Sequence, residues 1–236
     1  MNKIKCLLFD CMETLIDMTE IPSLREYALW AFEGSGNEEL WNNFDEFFTD
    51  YKNAVEFLSE KFLDFEEYEM SERYKYVTKN KITEDDITFE KVIRSFSEKY
   101  WDRYKSKCYM RDEVRSALIN LSHQYKLGIV SNFKVSGGIE DLLKTLDISE
   151  LFTIKIISVN IGWRKPNPNI YSLAQQETGL KANEILFIGD DYEYDYVAPK
   201  KIGMRVILLD RFERFLGVEY RVKDFYQLSE MLMDID

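Results

Sequence analysis

The sequence predicts an α/β protein: a Rossmann-like parallel sheet covered by helices, interrupted near its start by an all-helical insertion. Three observations lead there. Five short apolar runs of strand length recur along the 236 residues. Stretches of helical character separate the last four runs, and such alternation brings right-handed crossovers and a parallel sheet covered on both faces. Between the first and second runs the rhythm changes, with apolar residues recurring every three or four positions.

Taken in order, the first run is "KIKCLLFD", four apolar residues (Cys6, Leu7, Leu8, Phe9) that stop at Asp10. The insertion follows, with helical patterns in "SLREYALWAF", "EELWNNFDEFFTDYKNAVEFLSEKF" and "TEDDITFEKVIRSFSEKYWDRYKS". Thr83 and Asp86 have the spacing of a helix N-cap box. The change of rhythm sets the expected division: a core of residues 1–16 and 108–236, and a helical unit of residues 17–107. The aromatics Trp30, Phe32, Trp41, Phe44, Phe47, Phe48 and Phe57 are expected to form that unit's own core. The remaining strands are "KLGIVSN" (126–132), "FTIKIIS" (152–158), "EILFIGD" (184–190) and "MRVILLD" (204–210). Helices are expected at "GGIEDLLKTLDI", "NPNIYSLAQQETG" and "YVAPKKIG" between them.

Composition narrows the function. Hydrophobic content of 45% and mean hydropathy of −0.36 describe a chain able to bury a real core. No apolar run approaches the roughly 20 residues of a membrane span, and the start of the chain lacks the features of a signal peptide. Net charge is −12, which argues against nucleic acid or an anionic membrane as partner. Residues 17–107 hold 13 Lys/Arg against 22 Asp/Glu, a balance of −9, so the insertion carries most of the acidity. Three cysteines (Cys6, Cys11, Cys108) without metal spacing fit a reducing, cytoplasmic setting. With one histidine, His123, expected at a helix end or surface, the sequence argues against His-based zinc sites and Ser-His-Asp triads. Chemistry must run on carboxylates, hydroxyls and lysines.

Those groups collect at strand ends. The first strand gives Asp10, the second Ser131 and Asn132, and the fourth Asp190 and Asp191; Lys165 follows the third in "GWRKPNPNIY". In an open parallel sheet the carboxyl ends share one rim, where ligands bind. Singly, Asp10 and Asp190 read as turn or helix caps and Lys165 as a surface lysine. Together they read as a site. Asp10 has the makings of a nucleophile, and Asp10 with Asp190 and a backbone carbonyl offers hard oxygens for Mg²⁺ beside a phosphate. Ser131 can donate to a phosphoryl oxygen, and Lys165 can offset the charge that gathers in phosphoryl transfer.

In order, "FDCMET", "IVSN", "GWRKPNPNIY" and "IGDDYEYDYVAPKKIGM" resemble the four motifs of the haloacid dehalogenase (HAD) superfamily of hydrolases. The resemblance covers about three-fifths of the chain, and it implies that the helical insertion is a C1-type cap that closes over the site. It further implies Asp10 as the nucleophile of an aspartyl intermediate and Ser131 and Lys165 as phosphoryl ligands. Asp10, the Met12 carbonyl and Asp190 would hold Mg²⁺, with Thr14 and Asp195 or Asp191 behind them and Asn132 lining the site. The substrate class implied is a small phosphorylated metabolite.

One position departs from the resemblance. HAD phosphatases read Asp-x-Asp-Gly-Thr in the first motif, where the second Asp is the general acid/base. Here that residue is Met12, and the Gly is Glu13. Three readings follow. In one, a Mg²⁺-dependent phosphatase uses Glu13, an insertion residue or a good leaving group in place of the missing acid. In another, the chemistry needs no acid there, as in 2-haloacid dehalogenation or phosphonate cleavage with Lys52 or Lys61 as Schiff base. In the third, the protein binds a phosphorylated ligand with little turnover. Cys11, beside the proposed nucleophile, is expected to be a small buried apolar residue.

Overall fold

The computed structural model describes residues 3–63, 65–83 and 87–235, with the side chains of residues 234 and 235 set aside. Strand β1 (Cys6–Phe9) is buried throughout. Side chains alternate across a strand, so Leu7 and Phe9 enter one apolar cluster while Cys6 and Leu8 enter another on the opposite face. The chain continues through β2 (Asp17–Met18), four helices, α1 (Leu24–Phe32), α2 (Phe44–Lys61), α3 (Ser71–Thr78) and α4 (Ile87–Lys107), and then β3 (Cys108–Tyr109). Beyond it come α5 (Asp112–Ser122), β4 (Lys126–Ser131), α6 (Gly138–Thr145), β5 (Phe152–Ile157), a single turn α7 (Ser158–Ile161) and α8 (Pro168–Thr178). The last elements are β6 (Ile185–Gly189), α9 (Ala198–Lys201), β7 (Arg205–Leu209), β8 (Arg221–Val222) and α10 (Phe225–Ile235).

The sheet order is β5-β4-β1-β6-β7-β8, and every neighbouring pair is parallel. After β1 the chain builds outward through β4 and β5, then returns to place β6 on the other side of β1. That reversal makes the carboxyl end of β1 the switch point where an open α/β sheet forms its crevice. Close spacing at the centre requires Gly128 in β4, because a Cβ there would stand 2.7 Å from Leu8 Cδ2 and 3.0 Å from Ile154 Cβ.

The helical segment has its own local logic. Ser23 and Glu26 form a reciprocal capping box on α1, and Asn43 caps α2. Helix α2 buries Phe47, Tyr51, Ala54 and Leu58, a stripe at helical spacing. Phe47 is the hub, with ring centroids 4.8 Å from Phe32, 5.0 Å from Trp41 and 5.4 Å from Phe96. Phe57 departs from the expected core: it lies off the stripe, is 44% exposed, and has Lys79 against its ring. Asp86, the second member of the box expected with Thr83, lies outside the described residues. Helix α3 was not among the expected helices, and it buries Tyr74 and Val77 in the larger apolar cluster.

The segment joins the sheet through a short antiparallel ladder that pairs Asp17 with Tyr109 and Met18 with Cys108. Asp17 is buried there and ion-paired to Arg111 (2.8 Å) and Arg211 (2.5 Å). His123 is exposed at the C-terminal end of α5. Among the described residues no helix is long and apolar enough to cross a membrane.

Candidate active site

Strand ends bring the predicted residues together. Asp10 extends the β1 ladder by one bond, its N–H donating to Ile188 O at 2.9 Å, and then leaves the sheet. Ser131 closes β4, and Asp190 follows β6. Lys165 arrives from the loop after α7, across a cis bond to Pro166. Asp10, Met12, Glu13, Ser131, Asn132, Lys165, Asp190, Asp191, Tyr194 and Asp195 line one cleft of about 230 Å³ at the carboxyl rim.

Lys165 is its centre. Only 2% exposed, it donates from Nζ to Asp10 Oδ1 at 2.6 Å and to Asp195 Oδ1 at 2.7 Å. Asn132 brackets its backbone, accepting from Lys165 N at 2.6 Å and donating to Lys165 O at 3.0 Å. Thr14 Oγ donates to Asp190 Oδ1 at 3.2 Å. Ser131 Oγ is buried without a hydrogen-bond partner among the described residues, and such an orphan at a cleft wall is a donor left for a ligand.

Asp195 sits further inside than its sequence position suggests. Tyr192–Val197 form a π-helical turn, a form that recurs at functional sites. Asp191, largely in solvent, accepts from Tyr194 N at 2.8 Å and so caps that turn. The turn carries the Asp195 carboxylate over Gly189, where an added Cβ would overlap it. This close approach is the reason for glycine at the end of β6.

Three carboxylates therefore share a small space: one oxygen each of Asp10, Asp190 and Asp195 lie within 4.8 Å of one another. Burial, and then the charge of Asp10, push the Asp190 carboxyl up to about 7. Asp195 is also held at about 7 by burial and Asp10, against the opposing pull of Lys165. Burial disfavours the Lys165 ammonium, but Asp10 and Asp195 more than offset this and raise its pKa.

The two raised carboxyls set a sign for pH dependence. Their folded pKa values lie above an unfolded value of about 3.9, so the folded state holds extra protons between the two. The destabilisation is absent below about pH 4 and complete above about pH 7. Urea melts in EDTA are therefore expected to show stability falling between about pH 4 and 7 and levelling above, with a shallower slope in Asp190→Asn. Lys165→Met should cost about 3–5 kcal/mol in the same melts, because it leaves Asp10 and Asp195 buried without their cation.

The turn after Asp10 carries the two departures from the expected motif. Met12 pairs with Ile16 in an isolated bridge and is half-buried against the larger apolar cluster. Glu13 is exposed and has φ of 61°, in the left-handed region that suits glycine and costs other residues about 1–2 kcal/mol. Cys11 is fully buried, and burial, followed by Asp10, pushes its thiol well above the ordinary value. Such a thiol is inert. Lys52 and Lys61 are exposed on α2, where Lys61 lines a separate groove with Lys75 and Lys79. Neither is among the residues lining the cleft at the carboxyl rim. Tyr194, which sequence reasoning missed, does line it; an aromatic in a polar turn gave no signal.

A doubly covered parallel sheet with carboxylates and a buried lysine at its switch point has the form of an α/β enzyme. Residues 37–209 match the model of the haloacid dehalogenase-like hydrolases, and the chain belongs to that family. The matched stretch begins after Asp10 and takes in Ser131, Lys165, Asp190 and Asp195. The chain is 28% identical to the phosphoglycolate phosphatase of Escherichia coli (strain K12) over 215 residues, covering 86% of this chain and 81% of that protein. It is 33% identical over 86 residues to haloacid dehalogenase-like hydrolase domain-containing protein 3 of Danio rerio, covering 36% of this chain and about a third (35%) of the length of that relative. In shape it matches the 2-haloacid dehalogenase of Pseudomonas syringae pv. Tomato DC3000, with a TM-score of 0.77 over 98% of this chain and 99% of that one. At 18% identity that likeness concerns the fold.

Proposed function

We propose that this hydrolase is a Mg²⁺-dependent phosphatase of small phosphorylated metabolites, working through an aspartyl-phosphate on Asp10. The observation that carries the reading is the cluster of Asp10, Asp190 and Asp195 around Lys165. Three converging carboxylates suit a hard divalent cation, whereas halide displacement has no use for one. The raised Asp190 and Asp195 carboxyls also fit, because two groups that resist ionising side by side become an anionic donor set once a cation joins them. Asp10, Asp190 and the Met12 carbonyl are the ligands proposed, with Asp195 close at hand and Thr14 orienting Asp190. Bound there, Mg²⁺ would neutralise charge on the phosphoryl oxygens.

The chain's own groups do the rest. Lys165 holds Asp10 in place and offers its positive charge to the phosphoryl group, joined by the free hydroxyl of Ser131. The Asp10 carboxylate attacks phosphorus; an O–P bond forms and the ester O–P bond breaks. Water then cleaves the acyl phosphate, returning the carboxylate and releasing phosphate. Residues 17–107 act as a cap over the cleft. The leaving oxygen needs a proton that Met12 cannot give, so good leaving groups are expected to react much faster than alkyl alcohols. The fold shared with a dehalogenase and the apolar Met12 keep an acid-free reading in view. A screen of phosphate esters, phosphonates and 2-haloacids, each with Mg²⁺ or EDTA, separates the two. Phosphate release that needs Mg²⁺ supports the proposal, and halide release indifferent to EDTA overturns it.

A further inference from the structure

Residues 65–70 leave α2 and lie against the two core loops that frame the cleft. On the approach to Lys165, Glu67 N donates to Gly162 O and Arg164 N donates to Phe65 O, both at 2.9 Å, while Glu66 bridges to Trp163. On the other loop, Met70 N donates to Lys134 O at 2.7 Å. Phe65 takes φ of 65° in this segment, a costly conformation for a bulky residue that the surrounding contacts must hold.

The Glu67 carboxylate is the polar centre of this contact. Its side chain is 2% exposed, although it belongs to the acidic insertion. It accepts from Ser158 Oγ at 2.8 Å, from Tyr68 N at 3.1 Å and from the Lys134 ammonium. Ser158 Oγ in turn accepts from Phe133 N at 2.8 Å. One residue earlier, Asn132 brackets the backbone of Lys165. An unbroken chain of bonds thus runs from the insertion through Ser158, Phe133 and Asn132 to the lysine between Asp10 and Asp195. Burying a carboxylate beside a lysine adds little net stability, because desolvation offsets the attraction. A buried pair of this kind is better suited to fixing geometry.

We infer that Glu67 is a positioning residue through which the helical insertion sets the Asn132–Lys165 pair and so the phosphoryl-binding geometry. The inference rests on the phosphatase reading of Lys165. Its test uses Glu67→Gln, Ser158→Ala, which removes a single hydroxyl and carries the test if the first variant folds poorly, and the double variant. Amide hydrogen exchange needs no activity: the Phe133 amide and residues 162–165 should exchange at least tenfold faster in each single variant, with distant strands unchanged. With p-nitrophenyl phosphate and Mg²⁺, each single variant should lose about 10–100-fold in kcat/KM, mostly in kcat, the size expected of a small misplacement. The double variant should be no worse than the worse single, since both act through one chain of bonds. Unchanged exchange at Phe133, or losses that multiply in the double variant, would overturn it. If the wild type releases no phosphate from any ester, the phosphatase reading fails while the exchange result still decides the role of Glu67.

Discussion

Asp10→Asn is expected to reduce Mg²⁺-dependent phosphate release by about 10⁴-fold or more, to the level of the buffer, since loss of a nucleophile removes the covalent route altogether. The substitution is close to isosteric, and its effect on folding should be small. Asn keeps a carbonyl oxygen that can accept from Lys165, as Asp10 Oδ1 does at 2.6 Å, and Asp195 still holds the same ammonium at 2.7 Å. Removing one of three crowded carboxylates also relieves repulsion on Asp190 and Asp195, where Asp10 is among the causes of the raised pKa. The measurement therefore pairs steady-state rates with thermal melts: rates should collapse while the melting temperature in EDTA holds or rises. Phosphate binding should survive, because Ser131 and Lys165 are untouched. A variant with near-wild-type turnover would remove Asp10 from the mechanism and the aspartyl intermediate with it.

That such an experiment can be framed from the sequence follows from the way this fold encodes its site. Strands β1, β4, β6 and β7 were legible because they are buried on both faces, so the apolar run of each is local and nearly unbroken; β5, at the sheet edge with Thr153 exposed, was legible from its β-branched composition. Asp10, Ser131 and Asp190 were legible because each stands at or just beyond a strand end, and topology alone takes those ends to one rim; Lys165 lies past α7 and was legible within "GWRKPNPNIY". What could not be read depends on contacts distant in sequence. The inward reach of Asp195 depends on a π-helical turn over Gly189, and neither its spacing nor its residue type announces that turn. Periodicity placed Phe57, Lys52 and Lys61 on helices without saying which face meets the core or the cleft. Helix α3 buries only Tyr74 and Val77 as apolar residues, too short a stripe to announce it, and its polar contacts, such as Arg73 to the hydroxyls of Tyr51 and Tyr68, leave no apolar pattern. Asn132, expected to line the site, does so and also brackets Lys165, a task visible only once both loops are in place.

Met12→Asp is the complementary experiment, because it should add activity. Met12 lines the cleft beside Asp10 and is half-buried, so a carboxyl group there stands near the reacting phosphoryl group. Partial burial and the neighbouring charges of Asp10 and Asp190 both favour its protonated form, the condition a general acid needs near neutral pH. Positioned proton transfer contributes about 10²–10⁴-fold, and alkyl phosphate esters, whose alkoxides leave poorly, are expected to gain by that amount in kcat. Aryl esters such as p-nitrophenyl phosphate, whose phenolate leaves unaided, should change little. The dependence of rate on leaving-group pKa is thus predicted to be steep in the natural protein and shallow in Met12→Asp. Exchanging an apolar contact for a carboxyl should lower stability by about 1–3 kcal/mol. Glu13→Gln supplies the contrast, since Glu13 also faces the cleft from its left-handed turn position. Alkyl-ester turnover that stays flat in Met12→Asp but falls in Glu13→Gln would assign the proton to Glu13. A gain confined to Met12→Asp identifies position 12 as the place where the proposed phosphatase site lacks its acid.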